Sequence, residues 1–121
     1  MNTHSALEIA AGIALESWRK YRGPEQMQCL GAVGVRQDGA VVHAHNTYVG
    51  SRVEPKTHAE YRLLSRLGPF GTVYVARVGG VGGANWAMAK PCPTCHRAME
   101  IRRVKRVFYT IGPDEYGVWV P

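Results

Sequence analysis

Cysteine is scarce in this chain, with three among 121 residues. That is too few for a disulfide framework and points to a reducing compartment. Long apolar runs are missing as well. None approaches the roughly eighteen residues that a membrane-spanning helix needs. No basic stretch followed by an apolar one opens the chain, so a soluble, cytoplasmic protein without a membrane partner is expected. Acidic residues are outnumbered: nine Asp and Glu against fifteen Lys and Arg, a formal net charge of +6. Such a balance steers polyanionic or phosphorylated partners towards the protein, although a basic surface also serves solubility alone. The apolar fraction, 45%, is ordinary for a globular protein, and the length suits a single domain, 1–121, with a core of its own.

Against this background two short stretches stand out. His58-Ala59-Glu60 is followed, after thirty residues, by Pro91-Cys92-Pro93-Thr94-Cys95. The C-x-x-C step lets two sulfurs reach one metal, and His58 adds an imidazole from a separate segment. Zinc takes such ligands tetrahedrally, and three protein ligands leave one position for water, the pattern of a catalytic site. Zinc with two thiolates and a neutral imidazole carries no net charge, and it lowers the pKa of bound water. Glu60, two residues beyond His58, is placed to accept that proton without ligating the metal. Plainer explanations exist for each part. Thr57 and Glu60 are spaced as a capping box. A C-x-x-C is also a redox pair or half of a structural zinc knuckle. Neither explains His58, and the only other cysteine is Cys29.

The rest of the chain alternates helix and strand signals. Ser5-x-x-Glu8 can cap a first helix carrying Leu7, Ala10, Ala14, Trp18 and Tyr21 at helical spacing, ended by Gly23-Pro24. Residues 28–36 and 40–46 read as strands joined at Asp38-Gly39, a two-residue hairpin signal. His43 and His45 share one face of the second strand, where surface or cleft histidines are commoner than ligands. A polar loop, 46–56, carries Arg52 and Lys56. A helix over 57–67 follows, with Leu63, Leu64 and Leu67 inward and Gly68-Pro69 as its stop. Residues 71–78 form a third strand. The thirteen residues from Val78 to Lys90 read as a flexible flap carrying Trp86. Cys92-Pro93 opens a third helix, reaching about Arg103, whose N-terminus favours both thiolates. Arg102, Arg103, Lys105 and Arg106 are either helix-end charge or a nucleic-acid track. Residues 107–111 form a fourth strand and 112–117 a turn-like stretch. Residues 118–120 form a last short strand. A parallel return needs a dozen or more residues, so that strand should be antiparallel.

The His58-x-Glu60 and Pro91-Cys92-x-x-Cys95 pair matches the signature of zinc-dependent nucleobase deaminases. The sequence resembles the cytidine deaminase-like superfamily, most strongly from Thr57 to Gly112. The resemblance implies an α/β protein of three layers, α/β/α, with a mixed five-stranded sheet whose last strand is antiparallel. It implies a Zn2+ cofactor on His58, Cys92 and Cys95, and Glu60 as the catalytic acid and base. Substrate contacts are also expected at Asn46, Ala59, Trp86 and Pro91, and at Tyr48, whose ring can stack on a base or sugar or simply pack in the loop. Asn46 stands where such proteins hold the sugar, while Tyr48 replaces a glutamate usual in free cytidine deaminases. Polynucleotide relatives carry a Trp shortly before Pro-Cys, as Trp86 does here in a different local motif. The antiparallel last strand tilts the expectation to cytosine over adenine. The expected reaction is hydrolytic deamination of cytosine to uracil on a free nucleoside or nucleotide, with single-stranded DNA or RNA as the alternative. Relatives suggest a homo-oligomer.

Overall fold

The computed structural model describes residues 2–20, 30–45, 59–79 and 85–121, with the side chains of 17–20 set aside. Expectations for Tyr21, Cys29, Asn46, Tyr48, Arg52, Lys56, Thr57, His58 and the first part of the flap, 80–84, lie outside these residues.

Helix α1 (Thr3–Lys20) covers one face of a six-stranded sheet. The strands are β1 (Leu30–Val35), β2 (Val41–His45), β3 (Thr72–Gly79), β4 (Asn85–Ala87), β5 (Arg106–Gly112) and β6 (Glu115–Trp119). The sheet order is β2-β1-β3-β5-β6, with β4 paired to β3 off that path. Helices α2 (Ala59–Leu67) and α3 (Pro93–Ile101) lie on the opposite face. The three layers are those expected. Only β3 and β5 run parallel; the remaining pairs are antiparallel, including β5 with β6.

Period-two alternation divides the core between the faces. Val73 and Val75 of β3 join Ala32, Val107, Leu63, Leu67 and Met99 under α2 and α3. Tyr74, Ala76 and Val78 join Val33 and the Ala6, Leu7, Ala10, Ala14 stripe of α1. That stripe is small because α1 rides directly on β1. A Cβ at Gly31 would run into the backbone carbonyl of Ala10 and the backbone nitrogen of Ala14.

Several local expectations change. Asn2, not Ser5, caps α1: its Oδ1 accepts the Ser5 N–H at 2.8 Å. Glu8 is engaged by His4 Nδ1, at 2.8 Å, so it does not reach back to the helix start. The β1–β2 loop is wider than two residues. Arg36 N–H donates to the Ala40 carbonyl at 2.8 Å across Gln37-Asp38-Gly39, and Gly39 supplies φ +90°. At the other end, β5 and β6 close tightly on Pro113-Asp114, with Gly112 opposite Glu115, so β6 starts earlier than 118.

The largest change is the flap. Its last part, Asn85–Ala87, is β4, with Arg77 opposite Ala87 and Gly79 opposite Asn85. The pairing of β3 with β5 ends at Val75 and Tyr109, while β3 runs on to Gly79. The outer edge of that overhang needs partners, and β4 supplies them. The sheet therefore has six strands, not five.

Edge strand β2 is covered by side chains. Arg66 Nη2 donates to the His43 carbonyl at 2.7 Å and Arg62 Nη1 to the His45 carbonyl at 2.9 Å. These bonds from α2 satisfy carbonyls on an open edge. Among the described residues, no helix is long and apolar enough to cross a membrane.

Candidate functional site

Helix α2 buries Ala59, Glu60, Leu63, Leu64 and Leu67 on one face. The leucines fix that face against the sheet, and the spacing carries Glu60 inward with them. Glu60 is only 2% exposed, and its Oε1 has no hydrogen-bond partner. Burial pushes its carboxyl up to about 7, opposed only by a hydrogen bond to its own backbone. An unpartnered buried carboxylate is costly to a fold, so a ligand or a reacting group is the natural reason to keep one.

Cys92 caps α3 in extended geometry (φ −66°, ψ 163°), and Pro93 opens the helix. The Cys92 carbonyl accepts the His96 N–H at 2.8 Å, the helix's first bond. One turn in, Cys95 is fully buried and Cys92 half-buried, and neither forms a disulfide. Without a cation, burial pushes the Cys95 thiol far up, and the charges of Glu60 and Cys92 push it further. The Tyr61 backbone N–H works the other way. The expected lowering by the helix N-terminus is thus outweighed at Cys95. The same couplings put both sulfurs and the Glu60 carboxyl in one neighbourhood, between the first turns of α2 and α3.

That donor set suits a soft divalent cation, which deprotonates a coordinating thiol outright. The orphaned Glu60 Oε1 fits too, since a reacting water held beside the metal would supply its missing partner. No three metal-ligating side chains cluster among the described residues. The expected third ligand, His58, immediately precedes α2 and lies outside them.

A pocket of about 150 Å³ opens beside Glu60 and Cys92. Leu30 and Arg77, opposite one another on β1 and β3, line it, and Met88-Ala89-Lys90 complete the wall. Thr110, fully buried on β5, holds that wall. Its hydroxyl donates to the Ala87 carbonyl at 2.6 Å and accepts the Arg77 N–H at 3.2 Å. Its carbonyl accepts the Ala89 N–H at 2.9 Å. Pro91, buried, follows directly and leads into Cys92.

Of the other anticipated contacts, Ala59 is buried at the start of α2 beside Glu60. Trp86 is not brought to this site. Its side chain packs with the α1 cluster on the far face, its ring centroid 5.2 Å from that of His4. His43 and His45 point away from α2, because Val42 and Ala44 take the inward positions on β2. Arg102, Arg103, Lys105 and Arg106 are all exposed. Arg77 and Lys90 went unnoticed in the sequence. Arg77 shares the parity of Val73 and Val75, a signal that placed it on the site's face.

Comparison with known proteins agrees with this geometry. The family model for the cytidine and deoxycytidylate deaminase zinc-binding region matches residues 4–111. Crystallised cytidine deaminase from Burkholderia pseudomallei has a similar fold, with a TM-score of 0.59 at 21% identity. The alignment covers 99% of this chain and 93% of that one. No curated protein matches the chain.

Proposed function

The chain belongs to the cytidine and deoxycytidylate deaminase zinc-binding family, and from that premise we propose that it hydrolyses a cytosine base to uracil and ammonia on a free nucleoside or nucleotide. The observation that carries this reading is the buried Glu60 carboxyl, its Oε1 without a hydrogen-bond partner, beside the Cys92 and Cys95 sulfurs. Held by Cys92, Cys95 and His58, zinc would supply the Lewis acidity that makes a water nucleophilic near neutral pH. The protein's own part is proton handling. Glu60 takes the proton that the water releases as its oxygen adds to C4 of the ring. It passes that proton to the ring nitrogen, then takes the proton of the new C4 hydroxyl and delivers it to the amino group as the C–N bond breaks, leaving the C4 carbonyl and ammonia. A carboxyl poised near neutrality can do both.

The alternative substrate is single-stranded DNA or RNA. The +6 charge and the exposed run from Arg102 to Arg106 support it. Trp86 does not, because its ring sits behind the sheet. The test is ammonia release from cytosine, cytidine, deoxycytidine, their monophosphates and a single-stranded oligonucleotide, at low and high salt. Turnover of a monomer is expected. Turnover of the oligonucleotide alone, falling steeply with salt, favours the alternative. No release from any of them removes the deaminase reading.

A further inference from the structure

The pocket beside Glu60 holds a charge that the deamination chemistry leaves unexplained. Arg77 stands near the C-terminal end of β3, facing α2 and α3, and its Nε is buried without a hydrogen-bond partner. Arg77 is half-buried overall, but guanidinium keeps its charge in proteins, so its buried Nε cannot escape the cost by losing a proton. A buried charged donor needs an acceptor, and where the described residues provide none a ligand is the natural source.

Glu60 lines the same pocket but does not serve. The upward push on its carboxyl comes from burial, and among the described residues no cation acts against it. Among the described residues, no ion pair of Arg77 is found. Lys90, on the facing segment, adds a second cation to the pocket. Two positive groups therefore border a space whose one carboxylate among the described residues is assigned to proton transfer.

We propose that Arg77, assisted by Lys90, anchors the phosphate of the substrate, so that the enzyme acts on a cytosine nucleoside monophosphate rather than on a nucleoside. This rests on the deaminase reading above and narrows it. A nucleoside offers Nε a neutral oxygen but leaves both charges unbalanced. A phosphate monoester brings about −1.5 to −2 charges and three acceptor oxygens. Its geometry matches the guanidinium fork, which takes two parallel bonds to one anion. The placement fits too, since open α/β sheets bind ligands at the carboxyl ends of their strands.

The experiment compares kcat/KM for deoxycytidine monophosphate and deoxycytidine in the zinc-loaded wild type, R77Q, R77K and K90Q. The wild type should prefer the nucleotide. R77Q should lower the nucleotide-to-nucleoside ratio on the order of 10- to 100-fold, mainly through the nucleotide's KM, as loss of a charge-assisted contact does. R77K, which keeps charge without the fork, should fall between. K90Q, at an exposed position that folding tolerates, should lower the ratio less. A second readout needs no catalysis. In calorimetry, zinc-loaded wild-type protein should bind deoxyuridine monophosphate more tightly than deoxyuridine, and R77Q should erase the difference. A wild type that prefers the nucleoside, or a ratio left unchanged by R77Q and K90Q, overturns the phosphate anchor and leaves the deaminase reading standing. Failure to turn over either monomer overturns both.

Discussion

Replacing Glu60 with glutamine should change how the stability of the metal-free protein depends on pH, before any substrate is involved. In the folded chain the Glu60 carboxyl is raised by burial from 4.5 to about 7. Between those values the unfolded chain has lost the proton and the folded chain still holds it. The folded state then binds more protons, so stability falls as pH rises. The Glu60 contribution is fully present below about pH 4.5 and is lost as pH climbs through about 7. A difference of about 2.5 units, at about 1.4 kcal/mol each, amounts to roughly 3 kcal/mol. Most of it falls between about pH 5 and pH 8.

That window is also clean of two other groups. Asp38, held low by the Ala40 N–H, titrates below it. Cys95, pushed up by burial, departs from an ordinary thiol only above it. The assay is urea unfolding followed by circular dichroism, in the presence of a chelator, at steps from about pH 5 to pH 8. Wild type should lose roughly 2–3 kcal/mol relative to Glu60→Gln across that range. Parallel curves for the two proteins would refute the reasoning, because Glu60 would then not be the group that retains a proton on folding.

Turnover and metal content should separate in the same variant: Glu60→Gln should keep bound zinc, by elemental analysis, while losing on the order of 100-fold or more in kcat. Cys92→Ala or His58→Ala should instead lower the zinc content itself, and retention of a full equivalent by either would remove that residue from the ligand set. Thr110→Val should lower stability by about 1–3 kcal/mol in thermal unfolding, because it strips the part-buried Ala87 carbonyl and Arg77 N–H of a shared partner. Gly31→Ala should yield little folded protein, since backbone atoms of α1 occupy the space the new methyl needs; a soluble variant with wild-type melting temperature would contradict that packing.

Much of this architecture was legible because it rests on spacing. The leucines of α2 and the C-x-x-C step announce which residues share a face. The short chain after β5 leaves no room for a crossover, and β6 is antiparallel as that reasoning requires. What was not legible depends on register and on competition between equal local signals. Asn2 and Ser5 are both good caps. The choice falls to Asn2 because the buried stripe begins at Ala6 and Leu7, and because His4 engages Glu8. Nothing local says that β3 outruns β5. Without that fact the stretch before Pro91 has no reason to pair, and it reads as a flap. Trp86 was misplaced for the same reason: a strand residue's face is undefined until its partner is known.

The overhang of β3 also explains how the site is assembled. Glu60 and the two sulfurs come from helix starts, which neighbouring leucines and Met99 lock to the sheet. The pocket wall has no such support, since Met88, Ala89 and Lys90 belong to no helix or strand. It is held by β4 on one side and by the Thr110 clamp on the other. Because β4 pairs with Arg77 itself, the residues that shape the wall and the cation inside it are fixed by one set of backbone bonds. A change that frees β4 should therefore disturb the pocket more than the metal ligands. Thr110→Val provides the measure: its loss of activity should appear chiefly in KM, with zinc content retained.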